Sequence, residues 1–179
     1  MLDKDRSALV LVDIQGKLAT LMHDRENFFS NVNRMVKASR LFQIPILWNE
    51  QLPDKLGDTV PEIKSELSEL FPLTKKTFSC CGNEKFVQAL KETGRNQILL
   101  TGMETHICVY QTARDLLRDG YEVHLIADAV SSRFEYNRKL GIDTIKDLGG
   151  IISSVEMALF DMAETAEGDE FRELIKIVK

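Results

Sequence analysis

Several features are scarce or missing in this chain, and each absence narrows what it can be. There are only three cysteines in 179 residues, an odd number and far too few for a disulfide framework. A reducing compartment, the cytoplasm, is the expectation. No apolar run approaches the roughly 20 residues that a membrane span needs, so a membrane partner is not expected. The first residues, Met1 to Arg6, are charged and do not read as a signal peptide. The formal net charge is −5, which gives no footing for a nucleic-acid partner. There is no Gly-x-Gly-x-x-Gly and no Gly-x-x-x-x-Gly-Lys-Ser/Thr, so nucleotide cofactors have no support. There is no Gly-x-Ser-x-Gly elbow. The three histidines, His23, His106 and His124, show no metal-ligand spacing. No cofactor and no metal are expected.

What is present is a strand–helix alternation along the whole length. With 44% hydrophobic and 28% charged residues, the chain reads as one globular domain over 1–179. Ala8 to Val12 is an unbroken apolar run, as in a strand buried on both faces. Further strands are expected at Ile44–Trp48, Lys75–Phe78, Gln97–Thr101, Tyr121–Ala127 and Gly150–Ser153. Helices are expected at about 26–42, after Asn83 to Gly94, from Cys108 to Gly120, at 133–148 and toward the C-terminus. Three of the four prolines fall in 49–74, which reads as a long loop with one short helix at 62–70. Six apolar strands separated by helices imply an α/β fold: a Rossmann-like three-layer sandwich around a six-stranded, mainly parallel sheet. Ligands then bind beyond the carboxyl ends of the strands. That edge holds Asp13, the loop after Trp48, the start of the Cys108 helix and Asp128.

Three residues at that edge could carry chemistry. Cys108 sits where a helix begins, so the helix dipole and free N–H groups favour its thiolate and could hold an oxyanion. Position alone divides evenly between this role and that of a small buried core residue. Asp13 directly follows the first strand and could act as a general base if burial raises its pKa. A lysine nearby would stabilise both charges. Lys75 and Lys76 would point to opposite faces of a strand, and spacing does not choose between them. His124 reads as structural. His106 could face a substrate. Asp128 reads as a helix cap. Cys80 and Cys81 are adjacent, which is not a redox motif, and a redox role for them is not expected.

The run Leu99-Leu100-Thr101-Gly102-Met103-Glu104-Thr105-His106-Ile107-Cys108-Val109, followed by Thr112-Ala113, Gly120-Tyr121-Glu122-Val123 and Asp128-Ala129, resembles the core signature of isochorismatase-like cysteine hydrolases. Val12-Asp13-Ile14-Gln15 resembles the family's first-strand motif, and Lys75-Lys76-Thr77-Phe78-Ser79 its lysine segment. The resemblance selects Lys75, three residues before the aromatic-Ser pair. It implies an Asp13, Lys75, Cys108 triad acting on a small-molecule amide or related acyl substrate through a thioester, in a homo-oligomer. It also implies an oxyanion hole from the backbone N–H groups of Glu104 and Cys108, with a cis bond at Met103-Glu104. The Glu104 assignment depends on that bond, and a trans bond would remove it. Trp48, Gln51, Phe78, His106 and Ile107 are the expected pocket lining. Trp48-Asn49-Glu50-Gln51 lacks the Asp-x-His set of metal-dependent nicotinamidases, and the Glu50 to Gly57 run resembles the isochorismatase domain-containing branch. Cys108 is expected to be the most acidic and reactive of the three thiols. The rival from another class is a silent binding or scaffold protein that keeps this fold.

Overall fold

The computed structural model describes all residues from Met1 to Lys179. Six strands form one sheet: β1 (Ser7–Val12), β2 (Ile46–Gln51), β3 (Leu73–Lys75), β4 (Gln97–Met103), β5 (Glu122–Ser131) and β6 (Ile151–Ser153). Their order is β3-β2-β1-β4-β5-β6, and every pairing is parallel. Nine helices accompany them: α1 (Gly16–Ala19), α2 (Arg25–Leu41), α3 (Pro53–Leu56), α4 (Pro61–Lys64), α5 (Glu84–Glu92), α6 (Tyr110–Arg118), α7 (Glu135–Asp147), α8 (Val155–Ala163) and α9 (Gly168–Val178).

The apolar run of β1 explains the layering. All six of its residues are buried. Leu9 and Leu11 face a core with Val32, Met35 and Val36 of α2 and Ala158 and Leu159 of α8. Ala8, Val10 and Val12 face the opposite core, with Phe86 and Leu90 of α5 and Val109, Ala113 and Leu116 from the Cys108 segment and α6. A strand covered on both faces has no polar side to offer solvent, which is why the run shows no alternation. The longer helices α2, α5, α6 and α8 each contribute buried apolar residues to one of these cores. No helix is long and apolar enough to cross a membrane.

The strand order sets the position of the site. From β1 the chain moves outward through β2 to β3, then returns to lay β4 on the other side of β1. The carboxyl ends of β1 and β4 therefore flank the point where the winding reverses, the usual ligand crevice of such sheets. Asp13 follows one of these ends and the Cys108 turn the other.

Element boundaries depart from the sequence reading where the chain approaches that edge. β2 runs Ile46–Gln51 rather than 44–48, and β3 runs Leu73–Lys75 rather than 75–78. β4 and β5 extend to Met103 and Ser131. In the proline-bearing stretch α3, α4 and a 3₁₀ turn at Ser65–Leu67 replace the single expected helix. The late strand residues are polar (Asn49, Glu50, Gln51), so periodicity of apolar residues could not reveal them. They are nonetheless buried, because the loops fold over them. Asn83 caps α5 as expected, its side chain accepting from the Lys85 N–H.

Candidate functional site

Asp13 leaves β1 with φ of 55°, a left-handed conformation that aspartate tolerates better than most residues. Its N–H is held by the Asn49 carbonyl at 3.2 Å. This turn aims the carboxylate along the sheet edge toward β2 and β3. Lys75, paired with Gln51 in the β2–β3 register, reaches back over it. Lys75 Nζ lies 2.6 Å from Asp13 Oδ2 and donates also to the carbonyls of Thr77 and Phe78, each at 2.9 Å. All three ammonium hydrogens have acceptors. Lys75 is buried and Lys76 exposed, which resolves the choice that spacing left open.

Cys108 lies in a π-helical turn, Thr105–Val109, that leads into α6. Such wide turns inside helices recur at functional sites. The turn is pinned from outside by α7. A Cβ added to Gly141 would sit 2.8 Å from the His106 backbone nitrogen, so only glycine allows this approach. Cys108 Sγ is 3.8 Å from Gln51 Oε1, a long contact, and the Asp13 carboxylate is close enough for its charge to act on the thiol. Asp13 Oδ1 is buried and has no hydrogen-bond partner. The structure thus brings Asp13, Lys75 and Cys108 together from the ends of three different strands.

The electrostatics follow from burial. Desolvation raises the Asp13 pKa, and Lys75 opposes it without cancelling it. Cys108 is pushed up to about 12, by burial first and by the Asp13 charge second, with Lys75 pulling the other way. Cys81, less buried, stands at about 11, and fully buried Cys80 is raised further. The expectation that Cys108 is the most acidic thiol is therefore corrected. Burial and a neighbouring carboxylate outweigh the lysine, and the resting group is a neutral thiol beside a base.

Two further expectations are corrected. The Met103–Glu104 bond is trans, as is every peptide bond in the chain. The turn is made instead by Gly102, at φ of 140°, and by Glu104, at φ of 55°. Gly102 packs so closely on β1 that a Cβ would meet the Val12 carbonyl oxygen at 2.4 Å. The geometric reason for giving the Glu104 N–H an oxyanion role disappears with the cis bond. Trp48 does not line the site. It is buried in the core with α2, on the face of the sheet opposite Cys108, and its Nε1 donates to Thr59 Oγ1 at 2.7 Å.

The remaining expected residues fall into place differently. Gln51 stands between Lys75 and Cys108, with Nε2 near the Thr77 carbonyl at 3.4 Å. Phe78 is an exposed side chain whose carbonyl holds Lys75. His106 is half-buried, 3.2 Å from Ser132 Oγ and 3.6 Å from Glu104 Oε2. Ile107 packs on the core that contains Cys108. His124 is buried in β5 beside Glu122, as a structural residue would be. Asp128 caps the start of α8, its Oδ1 accepting from the Val155 N–H at 2.8 Å.

Sequence reasoning gave no role to Gln15, Glu50 or Arg133. Gln15 is fully buried. Its Nε2 donates to the Gln51 and Gly57 carbonyls and its Oε1 accepts from the Gln51 N–H. It clamps the end of β2 and so sets where the Gln51 side chain begins. Glu50 accepts from the Thr59 N–H and hydroxyl, each at 2.7 Å. A buried amide or carboxylate has no periodic signature. Only its partners reveal it. No group of three or more His, Cys, Asp or Glu side chains is arranged to hold a metal ion. Surface hollows of about 490, 540 and 550 Å³ lie elsewhere, and the three site residues line none of them.

Comparison with known proteins gives consistent relatives. Residues 7–157 match the family model described as isochorismatase domain. The chain is 36% identical to an isochorismatase domain-containing protein 2 of Danio rerio, over 96% of this chain and 86% of that one. It is 35% identical to a secreted isochorismatase effector of Phytophthora sojae, over 97% and 84%. Among solved structures, one described as a MAR1 ribonuclease from Caenorhabditis elegans superposes with a TM-score of 0.92 at 32% identity, covering 99% of this chain and 91% of that one.

Proposed function

The chain belongs to the isochorismatase domain family and has its hydrolase fold, and from that premise we propose that it is a cysteine hydrolase acting on small amides or related acyl compounds through Asp13, Lys75 and Cys108. One observation carries the reading. Lys75 fixes one oxygen of Asp13 and leaves the other, buried and unpartnered, beside a thiol. A structural ion pair has no need of that free oxygen, whereas a general base does.

In the reaction, the Cys108 proton passes to Asp13 as sulfur attacks the substrate carbonyl and the S–C bond forms. The Cys108 N–H, at the turn, holds the developing oxyanion. Asp13 then gives its proton to the leaving nitrogen, the C–N bond breaks, and a thioester remains on Cys108. Water attacks the thioester carbon and passes a proton to Asp13, which returns it to the departing thiolate. Lys75 keeps Asp13 ionised at the start and shields the charge that builds on sulfur. Gln51, Phe78, His106 and Ile107 surround the entry. Cys108 is only 6% exposed, which favours a small substrate.

We take residues 1–179 as one domain without cofactor, acting in the cytoplasm, where three free thiols persist. The Phytophthora relative's name says secreted, so fractionation of tagged protein is the direct check. A nucleic-acid substrate, which the ribonuclease name of the nematode relative would suggest, is disfavoured by the net charge of −5 and the buried thiol. Phe134, Tyr136 and Leu140, exposed at and on α7, favour association into a homo-oligomer. The decisive experiment is intact mass after mixing with a panel of primary amides. An acyl adduct on Cys108, absent in Cys108→Ser, is expected. A scaffold protein would show no adduct with any amide.

A further inference from the structure

A second carboxylate is buried beside Cys108, and the mechanism above does not use it. Glu104 precedes Cys108 by four residues, across the π turn, and is 5% exposed. Its Oε1 accepts from Arg133 Nε at 2.9 Å and from the Arg133 backbone N–H at 3.4 Å, while its Oε2 is buried without a hydrogen bond, 3.6 Å from His106 Nδ1. Arg133 lies two residues beyond β5, whose carboxyl end borders that of β4, so it stands on the ligand edge of the sheet. Its side chain is 44% exposed. Only Nε is engaged, and neither terminal amino group has a partner in the chain. A guanidinium held through Nε keeps its two outer nitrogens coplanar and free, the geometry that takes a carboxylate in bidentate fashion.

We propose that Arg133 is a specificity-determining residue that binds a carboxylate on the substrate, making the preferred substrates small amides that also carry a carboxylate group. This rests on the hydrolase reading of the same site. Glu104 orients the guanidinium, and its unpartnered Oε2 accepts an N–H of the same ligand. An amide acid supplies both complements, an anion for Arg133 and a donor for Glu104. A neutral amide supplies only one.

Succinamate and butyramide test this, since they differ by a carboxylate at the far end. Both are offered to the full chain and to Arg133→Gln and Arg133→Lys, with acylation of Cys108 and kcat/KM as readouts. The wild type should favour succinamate. Arg133→Gln should lower kcat/KM for succinamate about tenfold or more, chiefly through KM, and leave butyramide within about twofold, as loss of one charge-assisted pair implies. Arg133→Lys should recover part of the loss. Equal loss for both amides would show that Arg133 only supports Glu104, and no preference in the wild type would likewise overturn the proposal. If neither amide acylates Cys108, the hydrolase reading fails, and succinate binding by calorimetry decides for Arg133. Binding that Arg133→Gln removes would uphold the carboxylate subsite, and no binding to the wild type would end it.

Discussion

Lys75 Nζ lies 2.6 Å from Asp13 Oδ2, with its two remaining hydrogens held by the carbonyls of Thr77 and Phe78. The ammonium is fully buried and the carboxylate nearly so. Charges this deep are tolerable only because each hydrogen has an acceptor.

Removing the lysine should therefore cost stability as well as activity. Lys75→Met leaves Asp13 as an uncompensated buried charge, and breaking a buried pair typically costs about 3–5 kcal/mol. Urea unfolding should show a loss of that order, accompanied by no detectable acylation of Cys108. Unchanged stability would mean that the ion pair is open to water.

The thiol makes a pH prediction. Cys108 has an ordinary pKa of 9.0 in the unfolded chain and about 12 in the fold. Between these values the folded state holds the proton that the unfolded state releases, so stability falls as pH rises through that window. Cys108→Ser should flatten the alkaline fall in unfolding free energy by up to one proton's slope. An identical slope in the variant would mean that the thiol is not raised.

The same shift orders the thiols in the resting protein. With Cys81 pushed up to about 11 and half-buried, and Cys108 to about 12 and nearly enclosed, iodoacetamide at mildly alkaline pH should label Cys81 faster. A small amide should block whatever labelling Cys108 shows. Peptide mapping reads both, and fast labelling of Cys108 alone would contradict the burial argument.

Gly102→Ala should be severe. The new Cβ would stand 2.4 Å from the Val12 carbonyl oxygen, in a backbone conformation that alanine resists. Strain and overpacking together suggest a loss of about 2–4 kcal/mol. Because Val12 and Gly102 are β-partners beside Asp13, the shift should also slow acylation. Thermal melts and a stopped acylation assay test the two effects separately.

Trp48→Phe should do the opposite at the site. It removes the hydrogen bond to Thr59 in the core behind the sheet, at a cost of about 1–2 kcal/mol. Acylation of Cys108 should be unchanged, since Trp48 packs on the other face. A large drop in acylation would return Trp48 to the pocket.

Residue order alone specifies the layers of this protein. Runs such as Ala8–Val12 and Gln97–Thr101, set among amphipathic helices, suffice for a parallel sheet covered on both faces. Burial of apolar surface is the main driving force of folding, and its pattern is written along the chain. The same pattern places Asp13 and Cys108 at strand ends, and the family resemblance singles out Lys75. The remaining features arise only in three dimensions. That Lys75 reaches Asp13 across Gln51, that Gln15 clamps β2, and that Arg133 meets Glu104 are contacts between residues distant in the chain, and polar partners leave no period in a sequence. Trp48 looks like a pocket residue in the sequence because it follows an apolar strand core and precedes the site, while its face depends on a register fixed by β1. A helix start taken alone makes Cys108 look acidic. Its raised pKa comes from burial and from Asp13, both of which exist only once β1 and β4 lie side by side.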